Sequence, residues 1–105
     1  MNLVLSTCSA PEARAIAQQL VIDRYAACCN LLPQVESVYW WEGQVTTDQE
    51  VLMIFKVPSQ GVSALMARLK EIHPYQVPEM LSIEVASGFE PYLAWVSRET
   101  RTHRS

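Results

Sequence analysis

The stretch SVYWWEGQV, residues 37–45, sets three aromatic side chains in a row and then runs into Glu-Gly. Successive side chains of a β-strand point to opposite faces, so Tyr39 and Trp41 would face one way and Trp40 the other. Large rings on both faces need a covering layer on both, because apolar surface is costly to leave in water. The stretch therefore predicts a strand enclosed from two sides, in a chain of only 105 residues.

This strand belongs to a predicted antiparallel hairpin. It continues upstream through AACCNLLPQVES, and the partner strand EVLMIFKV is apolar at five successive positions, 51–55. A strand that is apolar on both faces is covered on both faces. We place the hairpin end around 42–48 and interpret TTDQE, 46–50, as a solvated acidic end that could bind divalent ions weakly. Pro33 lacks an N–H group and predicts a bulge or an edge position.

Three amphipathic segments predict helices. Residues 9–12, SAPE, form an S-x-x-E capping signature, and apolar residues at helical spacing follow it, which predicts a helix over about 11–25. A similar apolar stripe predicts a second helix over about 60–72, which Pro74 would stop. A third helix is expected to begin near Pro91.

The remaining elements complete a recognisable order. Short β-favouring runs at 2–7 and 80–85 bring the predicted order to β-α-β-β-α-β-α. The economical α+β arrangement is a ferredoxin-like βαββαβ sandwich with an extra C-terminal helix, in which helices cover one face of an antiparallel sheet. We predict a single domain over 1–98 and a disordered tail over 99–105.

Composition limits the partners. Half of the residues are hydrophobic, 18% are charged and the net charge is -3, which argues against nucleic acid as a partner. So apolar a small chain is expected to bury surface against another subunit. No segment approaches the ~20 apolar residues of a membrane span, and the start MNLVLSTC lacks the basic region of a signal peptide. Three cysteines, an odd number, favour reduced thiols, so we expect a cytoplasmic protein without a membrane partner.

Three segments together resemble a known family. RYAACCNLLP (24–33), SVYWWEGQV (37–45) and HPYQVPEML (73–81) are similar, in order and spacing, to the CutA family of divalent-cation tolerance proteins. The resemblance spans about residues 3–96. It implies a ferredoxin-like subunit in a tight homotrimer, similar to PII-type signalling trimers, whose long hairpins reach onto neighbouring subunits. Tyr39 and Trp40 are then expected in the trimer packing.

The resemblance also implies a metal site. The chain has none of the usual self-contained zinc patterns such as CxxC or HExxH. The family's copper-binding cysteine and histidine positions match Cys8 and His73, and thiolate and imidazole ligands suit copper. The family pattern can carry a second histidine where this chain has Ile72, so we expect copper or another divalent cation to bind only weakly. Alternatively, Cys8 is a small residue at a strand end and His73 a helix-terminal histidine. The other histidine, His103, lies in the predicted tail.

Two other classes of function stay open. A PII-like signalling trimer would bind a small ligand in clefts between its subunits. The candidate cleft residues are Trp41, Glu42, Lys56, Tyr75 and Glu79. The rings could instead be trimer packing, and Lys56 could form a plain ion pair with a glutamate. The third class is a hydrolase using Cys8 and His73 as a thiol–imidazole pair. No flanking motif supports it, so we predict that the protein is not an enzyme.

Overall fold

The computed structural model describes residues 1–101 and has the predicted element order. Four strands form one antiparallel sheet in the order β2-β3-β1-β4. This is the ferredoxin-like arrangement, followed by the extra helix. The elements are β1 (Asn2–Cys8), α1 (Ala10–Ile22), β2 (Cys28–Trp41), β3 (Gln44–Val57), a short 3-10 turn (Ser59–Gly61), α2 (Val62–Ile72), β4 (Leu81–Glu84) and α3 (Glu90–Glu99).

The core lies between one face of the sheet and the helices α1 and α2. Along β1 and β3 every second residue is buried on this face, as the two-residue period of a strand requires. The apolar stripes predicted from the sequence supply the opposite side of the core. Its largest buried members are Val4, Met53, Phe55 and Val57 from the sheet and Leu20, Leu65 and Leu69 from the helices.

The opposite face of the sheet is only partly covered. Leu5 of β1 stands between Ile54 of β3 and Leu81 of β4 on this face. Leu81 is 54% exposed, so the face remains open to solvent along β4. Val96 of α3 is buried outside the main core cluster, because α3 packs against β3 separately from the other two helices. An apolar sheet face left open in the single chain agrees with a subunit that buries surface against others.

Helix α1 ends at Ile22, three residues before the predicted limit. Arg24 adopts a positive φ of 65°, and the N–H groups of Arg24 and Tyr25 donate to the carbonyl oxygens of Val21 and Leu20. These two bonds form a Schellman motif, which usually has glycine at the positive-φ residue. The capping signature did locate the start of the helix. The Ser9 side chain, however, does not cap the backbone. Its hydroxyl donates to the Glu12 carboxylate at 2.6 Å.

The hairpin end predicted at 42–48 is wrong. Strands β2 and β3 are joined by a two-residue turn, Glu42–Gly43, in which both residues have positive φ, 49° and 79°. Such turns match the right-handed twist of the flanking strands, and a glycine commonly occupies one of the two positions. Residues 46–50 therefore belong to β3 and pair with β2.

The far half of the hairpin projects beyond the sheet. Strand β1 pairs only with residues 51–57 of β3, so residues 35–50 form a two-stranded ribbon, the arm. Seven residue pairs at ~3.3 Å each carry the arm about 23 Å past the end of β1. Tyr39 and Trp41 lie on one face of the arm and Trp40 on the other. A two-stranded ribbon is at best marginally stable in water by itself, so this one requires a covering surface.

A β-bulge separates the arm from the rest of β2. Leu32 pairs with Leu52 and Val35 with Glu50, so Pro33 and Gln34 stand opposite a single residue of β3. Gln34 has a positive φ of 60°. Pro33 has no N–H group, so its place in the bulge leaves no backbone donor unpaired. Since β2 is also an edge strand, Pro33 satisfies both of the positions that the sequence predicted.

The described structure continues beyond the predicted boundary at 98. Glu99 closes α3 and its carboxylate forms an ion pair with Arg24 at 2.5 Å. The N–H of Arg101 donates to the carbonyl oxygen of Arg24 at 2.9 Å. Residues 102–105, including His103, lie outside the described residues. Among the helices of residues 1–101, none is long and apolar enough to cross a membrane.

Candidate functional site

His73 links the segment after α2 to the end of β1 through hydrogen bonds to the backbone. It follows α2 directly and is only 7% exposed. The N–H of Tyr75 donates to its Nδ1 at 3.0 Å, and its Nε2 lies 2.8 Å from the carbonyl oxygen of Thr7. Because a backbone N–H can only donate, Nδ1 must be the acceptor and the ring proton must sit on Nε2. The two backbone contacts therefore select one neutral tautomer of His73.

Cys8 follows Thr7 in the chain, next to the contact between Thr7 and His73. We call the region of Thr7, Cys8 and His73 the corner. Its side chain is fully buried on the helix side of the sheet. Burial raises the pKa of the Cys8 thiol, and a hydrogen bond from Ser9 opposes this only partly. The protonated thiol, a poor metal ligand and nucleophile, is therefore favoured at neutral pH. The structure thus brings the two sequence-predicted metal ligands to one corner, each in a form that does not bind metal without rearrangement.

The donor atoms of Cys8 and His73 suit copper, but their surroundings do not leave them free. The sulfur and imidazole donors of Cys8 and His73 suit copper chemically. Both ring nitrogens of His73 are already engaged by backbone groups. Within residues 1–101, no group of three or more His, Cys, Asp or Glu side chains is arranged to hold a metal ion. Two donors are fewer than the ligands of a complete metal centre, so metal binding by this pair stays a prediction.

Two phenols bind two carboxylates of the arm, and the sequence did not predict their contacts. The Tyr75 hydroxyl donates to Glu50 at 2.9 Å, and the Tyr39 hydroxyl donates to Asp48 at 2.5 Å. Burial, with the bond to Glu50, raises the pKa of Tyr75. The bond to Asp48 is the main cause of the raised pKa of Tyr39. Asp48 and Glu50 are two residues apart, so they share one face of β3. This spacing indicates a shared face only in a strand, and the sequence analysis interpreted 46–50 as a loop.

The five candidate cleft residues do not meet within one chain. Tyr75 lies at the arm base, whereas Trp41 and Glu42 occupy the arm tip. Lys56 pairs with Leu3 and lies six residues from Glu50 along β3, about 20 Å away. Glu79 is exposed in the segment before β4. A cleft that contains all five would have to combine residues of different subunits, so it stays a prediction.

Lys56 has a different partner from the glutamate that the sequence suggested. Its Nζ donates to the Sγ of Cys28 at 3.9 Å across the β2–β3 pair. The neighbouring Cys29 points to the opposite face, into the core, and burial raises its pKa to about 12. Both thiols are free. Adjacent residues of a strand face apart, which accounts for the contrast between them.

The residues predicted for trimer packing are exposed in the single chain. Trp40 is 75% exposed and Tyr39 is 37% exposed, although the hydroxyl of Tyr39 is held by Asp48. Large exposed rings on a projecting ribbon are the pattern expected of an interface with another subunit.

The fold and the arm together define a PII-like α+β subunit. The solved structure of the PII-like protein CutA from Nostoc sp. PCC 7120, in apo form, superposes with a TM-score of 0.94 at 36% identity, covering 98% of this chain and 100% of that one. A divalent cation tolerance protein from Thermus thermophilus superposes with a TM-score of 0.90 at 40% identity, covering 96% of this chain and 100% of that one.

The chain belongs to the CutA1 divalent ion tolerance protein family, which it matches over residues 2–99. The divalent-cation tolerance protein CutA of Thermus thermophilus is 41% identical over 100 residues, covering 94% of this chain and 97% of that protein. Mouse protein CutA is 43% identical over 90 residues, covering 86% of this chain. The match covers 51% of the mouse protein, so the chain spans about half the length of that relative.

Proposed function

We propose that the chain acts as a homotrimeric divalent-cation tolerance protein that binds copper or another divalent cation weakly through Cys8 and His73. The observation that carries this proposal is the contact of His73 with the carbonyl oxygen of Thr7, the residue directly before Cys8, in a chain of a family named for divalent ion tolerance. The donor types suit copper, and the small number of ligands accounts for weak binding.

The arm supports the trimeric part of the proposal. Its two faces carry exposed rings, and the open sheet face adds Leu81 and Ile83, 54% and 47% exposed. Copies of the same chain are the natural covering surface, since oligomers of a single chain close symmetrically. Light scattering should give three times the chain mass of 11.9 kDa. A mass near that of one chain in dilute neutral buffer would contradict the trimer.

Weak and pH-dependent affinity follows from the corner itself. For Cys8 to act as a ligand, its buried thiol must lose a proton, and its raised pKa opposes this loss. For His73 to act through Nδ1, the N–H of Tyr75 must give up its bond. Copper affinity should therefore increase with pH, by about tenfold per unit if one proton is released.

Calorimetric titration with copper tests the site. Cys8→Ser and His73→Ala should each weaken binding, and Cys29→Ser is the matched control because its buried thiol lies on β2, away from the corner. Circular dichroism checks that each variant is folded. Unchanged affinity in both corner variants would show that the pair is not the site.

A PII-like ligand-binding role is a second candidate, favoured by the two phenol–carboxylate contacts on one face of the arm. Tyr75 and Tyr39 hold Glu50 and Asp48 on one face of β3, where a neighbouring subunit could complete a cleft. Acceptors of this kind suit a small cationic ligand. Thermal-shift screening of small cations with wild type and Glu50→Gln tests it, and equal shifts in both proteins would rule out Glu50 as a contact.

We do not assign catalysis to this chain. A thiol–imidazole nucleophile needs a free base, yet both nitrogens of His73 are bound by backbone groups. Turnover of ester, amide or phosphoester substrates that is lost in Cys8→Ala would overturn this view.

We also propose a cytoplasmic location. Three free thiols suit a reducing compartment, and cell fractionation of the tagged protein tests the location.

A further inference from the structure

Tyr75 makes contacts with both the corner and the arm. Its backbone N–H donates to the Nδ1 of His73 at 3.0 Å, and its hydroxyl donates to the Glu50 carboxylate at 2.9 Å. Its ring also packs edge-on against the ring of His73, with the two centroids 4.7 Å apart. One residue therefore holds the segment after α2 to the corner at its backbone and to the arm at its hydroxyl.

Glu50 lies where the support of the arm changes. Strand β1 ends at Cys8, whose partner on β3 is Val51, so Glu50 is the first residue of β3 beyond the reach of β1. From this point the arm is a two-stranded ribbon, which has little stability by itself. The bond from the Tyr75 hydroxyl joins the base of the arm to the rest of the chain just past the end of β1.

The bond from the Tyr75 N–H is incompatible with metal binding by His73. A neutral imidazole has one nitrogen with a free lone pair, because the other nitrogen carries the proton. If His73 binds a cation through Nδ1, the lone pair that accepts the Tyr75 N–H is occupied. If His73 binds through Nε2, the ring proton moves to Nδ1, which then cannot accept a hydrogen bond. Tyr75 therefore loses its acceptor whichever nitrogen binds the cation.

We propose that Tyr75 couples the corner to the arm, so that cation binding by His73 releases Glu50 and loosens the base of the arm. The part played by the cation rests on the proposed function. Pro74 separates the two residues and has a fixed φ, so a displaced Tyr75 backbone carries its ring and hydroxyl with it. Coupling between two sites is reciprocal, so the bond between Tyr75 and Glu50 also opposes cation binding at the corner.

Hydrogen exchange of the arm amides, followed by mass spectrometry in the metal-free assembled protein, tests the link itself. In the described part of the chain, His73 forms its hydrogen bonds with Thr7 and Tyr75 and none with the arm. His73→Ala should nevertheless speed exchange around Glu50 by about two- to fivefold, the effect of losing one partly exposed hydrogen bond. Exchange in the core helix α1 is the reference that separates this local effect from global opening.

The two phenols of the arm provide matched backgrounds for this measurement. In Tyr75→Phe the bond to Glu50 is already absent, so adding His73→Ala should not speed exchange further. Tyr39→Phe removes the other phenol–carboxylate bond, to Asp48, and leaves Tyr75 in place, so the effect of His73→Ala should remain in full. An equal effect of His73→Ala in both backgrounds would overturn the proposal.

Copper titration tests the part that rests on the proposed function. Tyr75→Phe should tighten copper binding by about two- to fivefold, because the bond to Glu50 no longer opposes release, and Tyr39→Phe should leave the affinity unchanged. Copper binding that is the same in wild type and Tyr75→Phe would overturn the coupling and leave the proposed function standing. Copper affinity that neither Cys8→Ser nor His73→Ala changes would overturn the proposed function and the role of the cation, and the exchange measurements would still decide the link through Tyr75.

Discussion

Replacing Trp40 with alanine removes the most exposed ring of the arm and should weaken assembly. A tryptophan presents about 200 Å² of surface, of which the 75% exposed in the single chain is about 150 Å². At ~25 cal/mol per Å², burying that area against a neighbouring subunit contributes up to ~4 kcal/mol per arm. Three arms in a trimer contribute about 11 kcal/mol, or about eight powers of ten in the trimer dissociation constant.

Sedimentation equilibrium over a wide concentration range measures this effect. The midpoint concentration of a monomer–trimer equilibrium scales as the square root of the dissociation constant, so the midpoint should rise by up to about four powers of ten. Ile22→Ala is the control. Ile22 is 71% exposed, similar to Trp40, but lies at the end of α1 and not on the arm.

Two outcomes would refute the reasoning. If Trp40→Ala dissociates at the same concentration as wild type, the ring is not buried in the assembly and the arm does not lock the subunits together. If Ile22→Ala weakens assembly as much as Trp40→Ala does, the exposed area and not the arm determines the interface. Circular dichroism at matched concentration confirms that each variant is folded before either outcome is accepted.

Three further predictions concern the free energy of unfolding, measured by urea denaturation at equal protein concentration. Gln34→Gly should raise it by ~0.5–1 kcal/mol because Gln34 has a positive φ, whereas Gln34→Val should lower it; equal stability of both variants would contradict the strain. Ser6→Ala should leave it unchanged or raise it by ~1 kcal/mol, since the buried Ser6 hydroxyl has no hydrogen-bond partner among residues 1–101; a loss above ~1 kcal/mol would show that it has one. His73→Ala should lower it by ~2–3 kcal/mol by removing the contacts with Thr7 and Tyr75, and Tyr75→Phe, which keeps those contacts, should cost less than ~1 kcal/mol.

The sequence predicted those parts of the fold that depend on repeating patterns. The helical stripes and the paired apolar strands have periods that a single chain displays directly. The end of α1 has no such signal, because Arg24 takes the positive-φ position that glycine usually marks. The turn at Glu42–Gly43 did have a signal, and it was outweighed by the polar run 46–50, which resembles a loop although its threonines favour strands.

The candidate site was predictable in its residue types and not in their states. Resemblance pointed to Cys8 and His73, and the structure places them at one corner. No pattern in the sequence indicates that the ring of His73 is held at both nitrogens by backbone groups from two different segments. The contact of Lys56 with Cys28 likewise depends on strand register, which spacing along the chain does not determine.

The bulge at Pro33–Gln34 makes the length of β2 matter more than its composition. Before the bulge the even-numbered Leu32 faces away from α1 and α2, and after it the odd-numbered Tyr39 and Trp41 do. Losing or gaining one residue between these points would turn the arm inside out, presenting Trp40 where Trp41 belongs. Natural variants of this chain should therefore accept many substitutions in residues 33–38 and almost no single-residue insertion or deletion there.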